Sequence, residues 1–281
     1  MIQDIYPHKL DNQFNCSAVP EPDSLLFLFR RGDALICENE GSFDVSLFRD
    51  MSFTADQLLY LFSLDGTGCY TLKPDVNLEE KDVPEEYIFA SMKSFYRRYH
   101  QPKELCFALM TAWQLRNWYA GNQYCGFCGS RMRPSEKERA LICTECGRTV
   151  YPKIVPAVIV AVTNGESLLL TAYANRPEIN YALIAGFTEI GETFEETVAR
   201  EVYEEAGVRV RNIRYYGSQP WGIVDDILAG FFCEVDGDPT IHMDTQELKL
   251  AKWFQRDEIP IKYDDFSLTN DMITAFREGR I

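Results

Sequence analysis

The sequence predicts three pieces in series: an α+β N-terminal domain, a small four-cysteine ribbon, and a C-terminal domain in which a mixed sheet packs between helices. Three observations carry this reading. Short apolar β-runs precede two stretches of helical periodicity before residue 120, two Cys-x2-Cys pairs stand within 125–146, and β-branched runs flank one acidic helix beyond 153. The 281 residues exceed the usual size of one compact domain, so the boundaries are read as 1–120, 121–152 and 153–281.

In the N-terminal stretch, SLLFLFRRGDALICE from residue 24 reads as two β-runs joined by a turn around Arg31-Gly32-Asp33, with DVSLF and CYTL as further short strands. TADQLLYLFSL at 54–64 has Thr54 placed to cap a short helix. The charged LEEKDVPEEY at 78–87 contains Pro84 and reads as a connector. EEYIFASMKSFYRRY and KELCFALMTAWQLRNWYAG carry apolar residues at helical spacing, and Gly121 is the expected C-cap. Nothing in these residues announces chemistry.

The ribbon does. Cys125, Cys128, Cys143 and Cys146 form two knuckles that bring four thiolates around one tetrahedral Zn²⁺, at about 2.3 Å each. Gly129 and Gly147 follow the second cysteine of each pair and let the backbone turn beneath the metal. A four-sulfur site is coordinatively closed, so the zinc is expected to be structural. Arg131, Arg133, Lys137, Arg139, Arg148 and Lys153 outnumber three glutamates here, and they read as a solvated surface in preference to a polyanion site. The other five cysteines stand singly and are expected to be small buried apolar residues.

The net charge of −15 argues against a broad sequence-blind nucleic-acid surface. SLLFLF is cut off by Arg30 and Arg31, far short of the roughly 20 apolar residues of a spanning helix. The N-terminal MIQDIYPHKLDNQ lacks the layout of a secretory signal. A soluble, cytoplasmic protein without a membrane partner is expected.

Beyond 153, VPAVIVAVTN and ESLLLTAYA are strands broken by the hairpin signal Asn164-Gly165. RVRNIRYYGSQPW, ILAGFFCEVDG and LKLAKWFQRDEIP read as later strands, and TNDMITAFREG as a closing helix. Between them lies the acidic helix. Thr193-Phe194-Glu195-Glu196 fits a capping box and Gly207 a C′ residue. Phe194, Val198, Val202 and Ala206 recur every four residues as the buried stripe. Glu201, Glu204 and Glu205, at i, i+3 and i+4, are neighbours on a separate face, where like charges repel until a cation reverses the sign. Hard oxygen donors suit Mg²⁺ or Mn²⁺.

The segment also fits a longer template. Gly186, five residues, Glu192, seven residues, then Arg200-Glu201-Val202-x-Glu204-Glu205-x-Gly207-Val208 satisfies every fixed position of the Nudix box, so this region resembles the Nudix hydrolases, which cleave nucleoside diphosphates linked to another moiety. With the four-Cys ribbon ahead of it and Ser218-Gln219-Pro220-Trp221 after it, residues 120–281 resemble the NADH pyrophosphatase subfamily, whose members also remove NAD caps from RNA. The resemblance implies an α/β/α Nudix sandwich and a homodimer. It also implies Mg²⁺ or Mn²⁺ held by Glu201, Glu205, Glu247 and the carbonyl of Ala185, with Glu204 close by and Arg200 orienting the carboxylates. Glu205 is then the most important single carboxylate, and Tyr151 and Phe187 stack on the substrate.

The same resemblance places substrate contacts on Gln219, Pro220, Trp221, Gly222, Ile223, Val224, Asp225 and Asp226. There the chain departs from the subfamily, which continues Pro-Phe-Pro-x-Ser where this sequence has Gly222-Ile223-Val224-Asp225-Asp226. The replacement reads as a flexible loop with two added charges, and it bears on substrate choice. The expected reaction splits NAD(H) into AMP and nicotinamide mononucleotide, with NAD-capped RNA as a further substrate. The alternatives are ADP-ribose or a diadenosine polyphosphate as substrate, or a non-catalytic nucleotide- or RNA-binding protein.

Overall fold

A long parallel strand pair organises the C-terminal unit of the computed structural model, which describes residues 1–174, 180–261 and 263–281. This unit comprises Met1, 154–221 and 226–281. Its elements are β1 (Val155–Asn164), β2 (Ser167–Tyr173), β3 (Ile184–Phe187), α1 (Phe194–Ala206), β4 (Val210–Trp221), β5 (Asp226–Val235), β6 (Leu248–Gln255) and α2 (Leu268–Arg277). The strand order is β4-β5-β1-β2-β6, with β3 also on β1. Among the described residues of this unit, only β1 and β5 run parallel, from Val155↔Asp226 to Thr163↔Glu234. The other pairs are antiparallel, so the sheet is mixed.

The period of two along β1 decides which residues meet which helix. Val158, Val160 and Val162 pack with Val198, Val202 and Ala206 of α1. Ile159 and Ala161 turn the other way and share a core with Leu268, Met272, Ile273 and Phe276 of α2. A strand covered on both faces must be apolar throughout, which is why VPAVIVAV shows no polar alternation. The result is the expected α/β/α sandwich. β1 hands its C-terminal end to β2 and its N-terminal half to β3, which brings Ala185, Gly186 and Phe187 alongside Ile159, Val158 and Ala157.

The second unit comprises 2–153 and 222–225. One of its sheets is five-stranded, in the order Leu10–Asp11, Leu58–Leu64, Thr67–Leu72, Leu25–Leu26, Ser46–Leu47. Another joins Phe29–Arg30, Asp33–Asn39, Ser42–Asp44 and Tyr87–Ser91. The ribbon contributes three short strands, Met132–Pro134, Leu141–Cys143 and Thr149–Val150.

Several expectations for this unit need correction. Thr54 does close a capping box with Gln57, but the box supports a single 3-10 turn, Ala55–Gln57, and Leu58–Leu64 is a strand. Asp65-Gly66 follows at φ 52° and 83°, a hairpin turn that returns the chain as Thr67–Leu72. EEYIFASMKSFYRRY is not one helix. Tyr87–Ser91 pairs with Asp33–Cys37, and only Met92–Arg98 is helical. Gly121 ends the helix Lys103–Gly121 as its last helical residue, and Asn122 supplies the cap through Nδ2 to the Trp118 carbonyl at 2.7 Å. Among the lone cysteines, Cys69, Cys106 and Cys233 are buried as expected, whereas Cys37 is half-buried and Cys16 is exposed.

Residues 222–226 form a turn that leads directly into a strand. Gly222–Asp225 is a four-residue turn, and Asp226 already belongs to β5, 6% exposed. Gly222 is buried where a Cβ would lie 2.4 Å from the Met110 carbonyl oxygen, so glycine is required by close backbone approach. Gly222→Ala should therefore destabilise the fold by about 1–3 kcal/mol. A melting temperature equal to wild type in calorimetry would remove this constraint.

Candidate active site and zinc ribbon

Helix α1 is fixed at both ends. The Thr193 hydroxyl accepts from the Glu196 amide at 3.2 Å, and the Glu196 carboxylate accepts from the Thr193 amide at 2.8 Å. Gly207 ends the helix at φ 69°. Its C-terminal carbonyls, which lack intrahelical donors, are met from outside: Ala206 accepts from His242 N at 2.8 Å and Glu205 from Asp244 N at 2.9 Å. A Cβ on Gly207 would stand 2.7 Å from His242 Cβ, so this docking requires glycine. The docked segment runs directly into Glu247.

Glu201, Glu204 and Glu205 of α1 are neighbours but are not equally placed relative to the apolar stripe. At 3.6 residues per turn, Glu205 lies about 20° from Val198, Glu201 about 60° and Glu204 about 120°. Glu205 therefore falls inside the apolar stripe. It is 2% exposed, and its Oε2 has no hydrogen-bond partner. Glu201 is largely covered, while Glu204 is 58% exposed. Phe194, expected in the stripe, is 37% exposed; it is the first helical residue, and its ring meets that of Phe231 at 6.0 Å.

Electrostatics follow from this placement. Burial pushes the Glu205 carboxyl up to about 8, the charges of Glu247 and Glu201 add to the rise, and the Ala185 backbone N–H opposes it. Glu201 is raised chiefly by burial, against the Arg200 hydrogen bond. Arg200 grips Glu192 with two bonds, Nε to Oε1 at 2.6 Å and Nη2 to Oε2 at 2.9 Å. Its Nη1 reaches Glu201 at 2.7 Å and Glu204 at 3.0 Å, and Nη2 also donates to the Phe187 carbonyl at 3.0 Å. The Arg200 bonds, helped by the Glu189 amide, hold the Glu192 carboxyl down to about 2. Arg200 thus bonds Glu192, Glu201 and Glu204 and makes no bond to Glu205. Glu201 lies over β3 so closely that a Cβ on Gly186 would be 1.9 Å from its carboxyl carbon.

A buried carboxylate oxygen without a donor, facing the charges of Glu247, Glu201 and Asp244, is a site short of positive charge. The donors it offers are hard oxygens, the set a divalent magnesium-like cation takes. The glutamates are more widely spaced than the cysteines. Among the described residues, only the four cysteines bring their ligand atoms within 4.8 Å of one another.

In the ribbon, Sγ atoms stand 3.7 Å apart for Cys125 and Cys146, 3.4 Å for Cys128 and Cys143, and 3.6 Å for Cys128 and Cys146. A tetrahedron with 2.3 Å metal–sulfur bonds has edges of about 3.8 Å, so the cage fits zinc and is far too open for a disulfide. Both knuckles use the same backbone bonds, Gly129 N to Cys125 O at 2.8 Å and Gly147 N to Cys143 O at 3.2 Å. Both glycines sit at positive φ, 77° and 72°.

The remaining sequence candidates are scattered in role. Phe187 ends β3, 51% exposed, and Tyr151 is 57% exposed with its hydroxyl donating to Glu138 at 3.0 Å. Gln219 is fully buried, and its amide joins β4 to the start of α2 by donating to the Phe266 carbonyl at 2.8 Å and accepting from the Leu268 amide at 2.7 Å. Pro220 and Trp221 pair with Ile227 and Asp226 in the sheet. Ile223 is half-buried and Val224 is 54% exposed. Asp225 is half-buried at φ 66°, with its carboxyl raised by burial and lowered by Lys153. The sequence reading assigned no role to Glu192, Asp244 or the structural amide of Gln219. Only Glu192 had a signal, its fixed place eight residues before Arg200.

Comparison with known proteins now bears on this geometry. Residues 153–274 match the model of the NUDIX domain. Residues 121–151 match the NADH pyrophosphatase zinc ribbon domain, which assigns the four-cysteine cage to that kind of ribbon. Proteins named NAD-capped RNA hydrolase NudC, from Shigella flexneri and Escherichia coli O9:H4, are 40% identical over 148 residues. The match spans 53% of this chain and 57% of each relative, little more than half their length. A solved NUDIX hydrolase from Nitrosomonas europaea is 26% identical with a TM-score of 0.49, covering 56% of this chain and 92% of that one.

Two outcomes are expected. A carboxyl that titrates near 8 when folded and 4.5 in the ordinary range keeps its proton longer in the fold, so metal-free stability should fall as pH rises between those values. Glu205→Gln should flatten that fall, and thermal melts across the window would show it; parallel slopes for the two proteins would refute it. Stripping zinc with a chelator should unfold the ribbon and release one zinc per chain, measured by metal analysis and circular dichroism.

Proposed function

We propose that the chain hydrolyses the pyrophosphate bond of NAD(H), giving AMP and nicotinamide mononucleotide, and that it also removes NAD caps from RNA. The observation that carries this reading is the orphaned, buried Oε2 of Glu205, on which the charges of Glu247 and Glu201 act. Glu201, Glu205, Glu247 and the carbonyl of Ala185 would hold Mg²⁺ or Mn²⁺. When bound, such ions neutralise pyrophosphate oxygens and lower the pKa of a coordinated water. The chain's own part is to orient and to move a proton. Arg200 fixes Glu201 and Glu204, a glutamate of this set takes the proton of the attacking water, and Phe187 and Tyr151 offer exposed rings for stacking.

The turn at 222–226 favours retaining a dinucleotide substrate. Asp226 is buried in β5, and Asp225 is half-buried with Lys153 as an opposing charge, so the two acids do not form a freely exposed anionic patch. Together with Gln219, Pro220, Trp221, Gly222, Ile223 and Val224 they form the segment proposed to set substrate choice. A homodimer and a cytoplasmic setting complete the reading; the five cysteines outside the zinc cage are free thiols, as a reducing compartment keeps them, and no described helix is long and apolar enough to cross a membrane.

The experiment is turnover of NADH, NAD⁺, ADP-ribose, diadenosine polyphosphates and NAD-capped RNA in Mg²⁺ or Mn²⁺. NADH or NAD-capped RNA should give the highest kcat/KM, and Glu205→Gln should lower it by roughly 10²–10⁴. Preference for ADP-ribose or a diadenosine polyphosphate would transfer the substrate assignment to those compounds. Tight nucleotide binding with no metal-dependent turnover would make the protein a binder.

A further inference from the structure

The N-terminal unit contains a groove of about 470 Å³ lined by thirteen residues, four of them cations (Arg30, Arg31, Lys73 and Arg116) and none a carboxylate. In a chain with 43 acidic and 28 basic residues, this reverses the general bias. The groove lies far in sequence from the acidic helix, and no role assigned above uses it. An adjoining cavity of about 310 Å³ shares Lys73, Pro74 and Tyr119 and adds Arg131, with Asp75 its one acid.

The cations are supplied by separate elements. Arg30 ends the strand Phe29–Arg30 with its guanidinium 3.8 Å over the Phe89 ring, and Arg31 occupies the hairpin turn at φ 57°. Arg116 comes from the helix Lys103–Gly121. It is half-buried and hydrogen-bonds the neutral side chain of Asn117 at 3.0 Å, and burial alone moves its pKa, with no carboxylate to offset it. A partly desolvated guanidinium without an anion is costly, and phosphate is the group its planar fork fits best. The Arg30-Arg31 pair, which as sequence is merely a turn, stands on the rim of the same groove.

We propose that this groove is an anion site for the phosphate groups of a nucleotide-sized ligand, supplied either by a free mononucleotide or by a nucleotide of an RNA strand. Its volume falls within the range of small-ligand pockets. The site is independent of hydrolysis at α1.

The test uses the full-length, zinc-loaded protein without added Mg²⁺ or Mn²⁺. Inorganic phosphate and AMP are titrated by calorimetry, and an uncapped oligoribonucleotide of about ten residues by fluorescence anisotropy. At least one probe should bind, and Arg116→Gln and Arg31→Asp should each weaken it about tenfold and lessen its salt dependence. RNA binding much tighter than AMP identifies the strand as the source, and equal affinity identifies the free nucleotide. Should Arg116→Gln fail to fold, Arg31→Asp decides, since Asp tolerates positive φ and the position is exposed. NADH turnover, if present, should be unchanged in Arg31→Asp. No binding by any probe, or wild-type affinity in a folded Arg31→Asp, overturns the proposal, whatever the hydrolysis assays give.

Discussion

The constraint on which the C-terminal unit depends is a negative charge buried with too little to balance it. Glu205 sits in the apolar stripe of α1, where a valine or leucine would pack without penalty. Its Oε2 receives no donor. Fully ionised, the group would face the like charges of Glu247, Glu201 and Asp244 in a poorly hydrated setting, and burial pushes its carboxyl up to about 8. A protein that needed only stability would have no reason to keep an acid there. The arrangement makes physical sense as a place for added positive charge.

Arg200 shows how that deficit is confined. Its guanidinium spends its donors on Glu192, Glu201, Glu204 and the Phe187 carbonyl, so the outer side of the cluster is neutralised and the inner side is not. Because Glu192 grips the guanidinium through both oxygens, Arg200 cannot swing towards Glu205 without losing its strongest partner. The sole cation of the segment therefore fixes geometry while leaving the interior acid unpaired.

Much of this was legible in the sequence, for identifiable reasons. The zinc cage was, because cysteine spacing maps directly onto tetrahedral geometry. The sandwich was, because an apolar run such as VPAVIVAV has few uses besides a strand covered on both faces. The acidic helix was legible in its ends but not in the burial of Glu205. Grouping Glu201, Glu204 and Glu205 by i, i+3, i+4 adjacency overlooked the seven-residue step from Val198 to Glu205, which returns two turns later to the same side. Thr54 misled because a capping box reports only the first turn, whereas Asp65-Gly66 reported the hairpin. The turn at 222–226 misled because glycine reads as freedom in sequence but here answers a carbonyl at close range. Gln219 gave no sign of its role, since its partners are backbone groups 47 and 49 residues away.

The two fixed glycines near α1 explain why so long a template is needed for so small a site. Gly186 admits the Glu201 carboxylate against β3, and Gly207 admits His242 against the C-terminus of the helix. The first contact sets one carboxylate from the sheet side. The second docks the segment that ends in Glu247, the charge that acts most strongly on Glu205 after burial itself. A side chain at either glycine would move a carboxylate by the width of a methyl group or more. Since attraction and repulsion among these charges vary steeply at such distances, the helix alone cannot define the site; the close approaches on either side of it do.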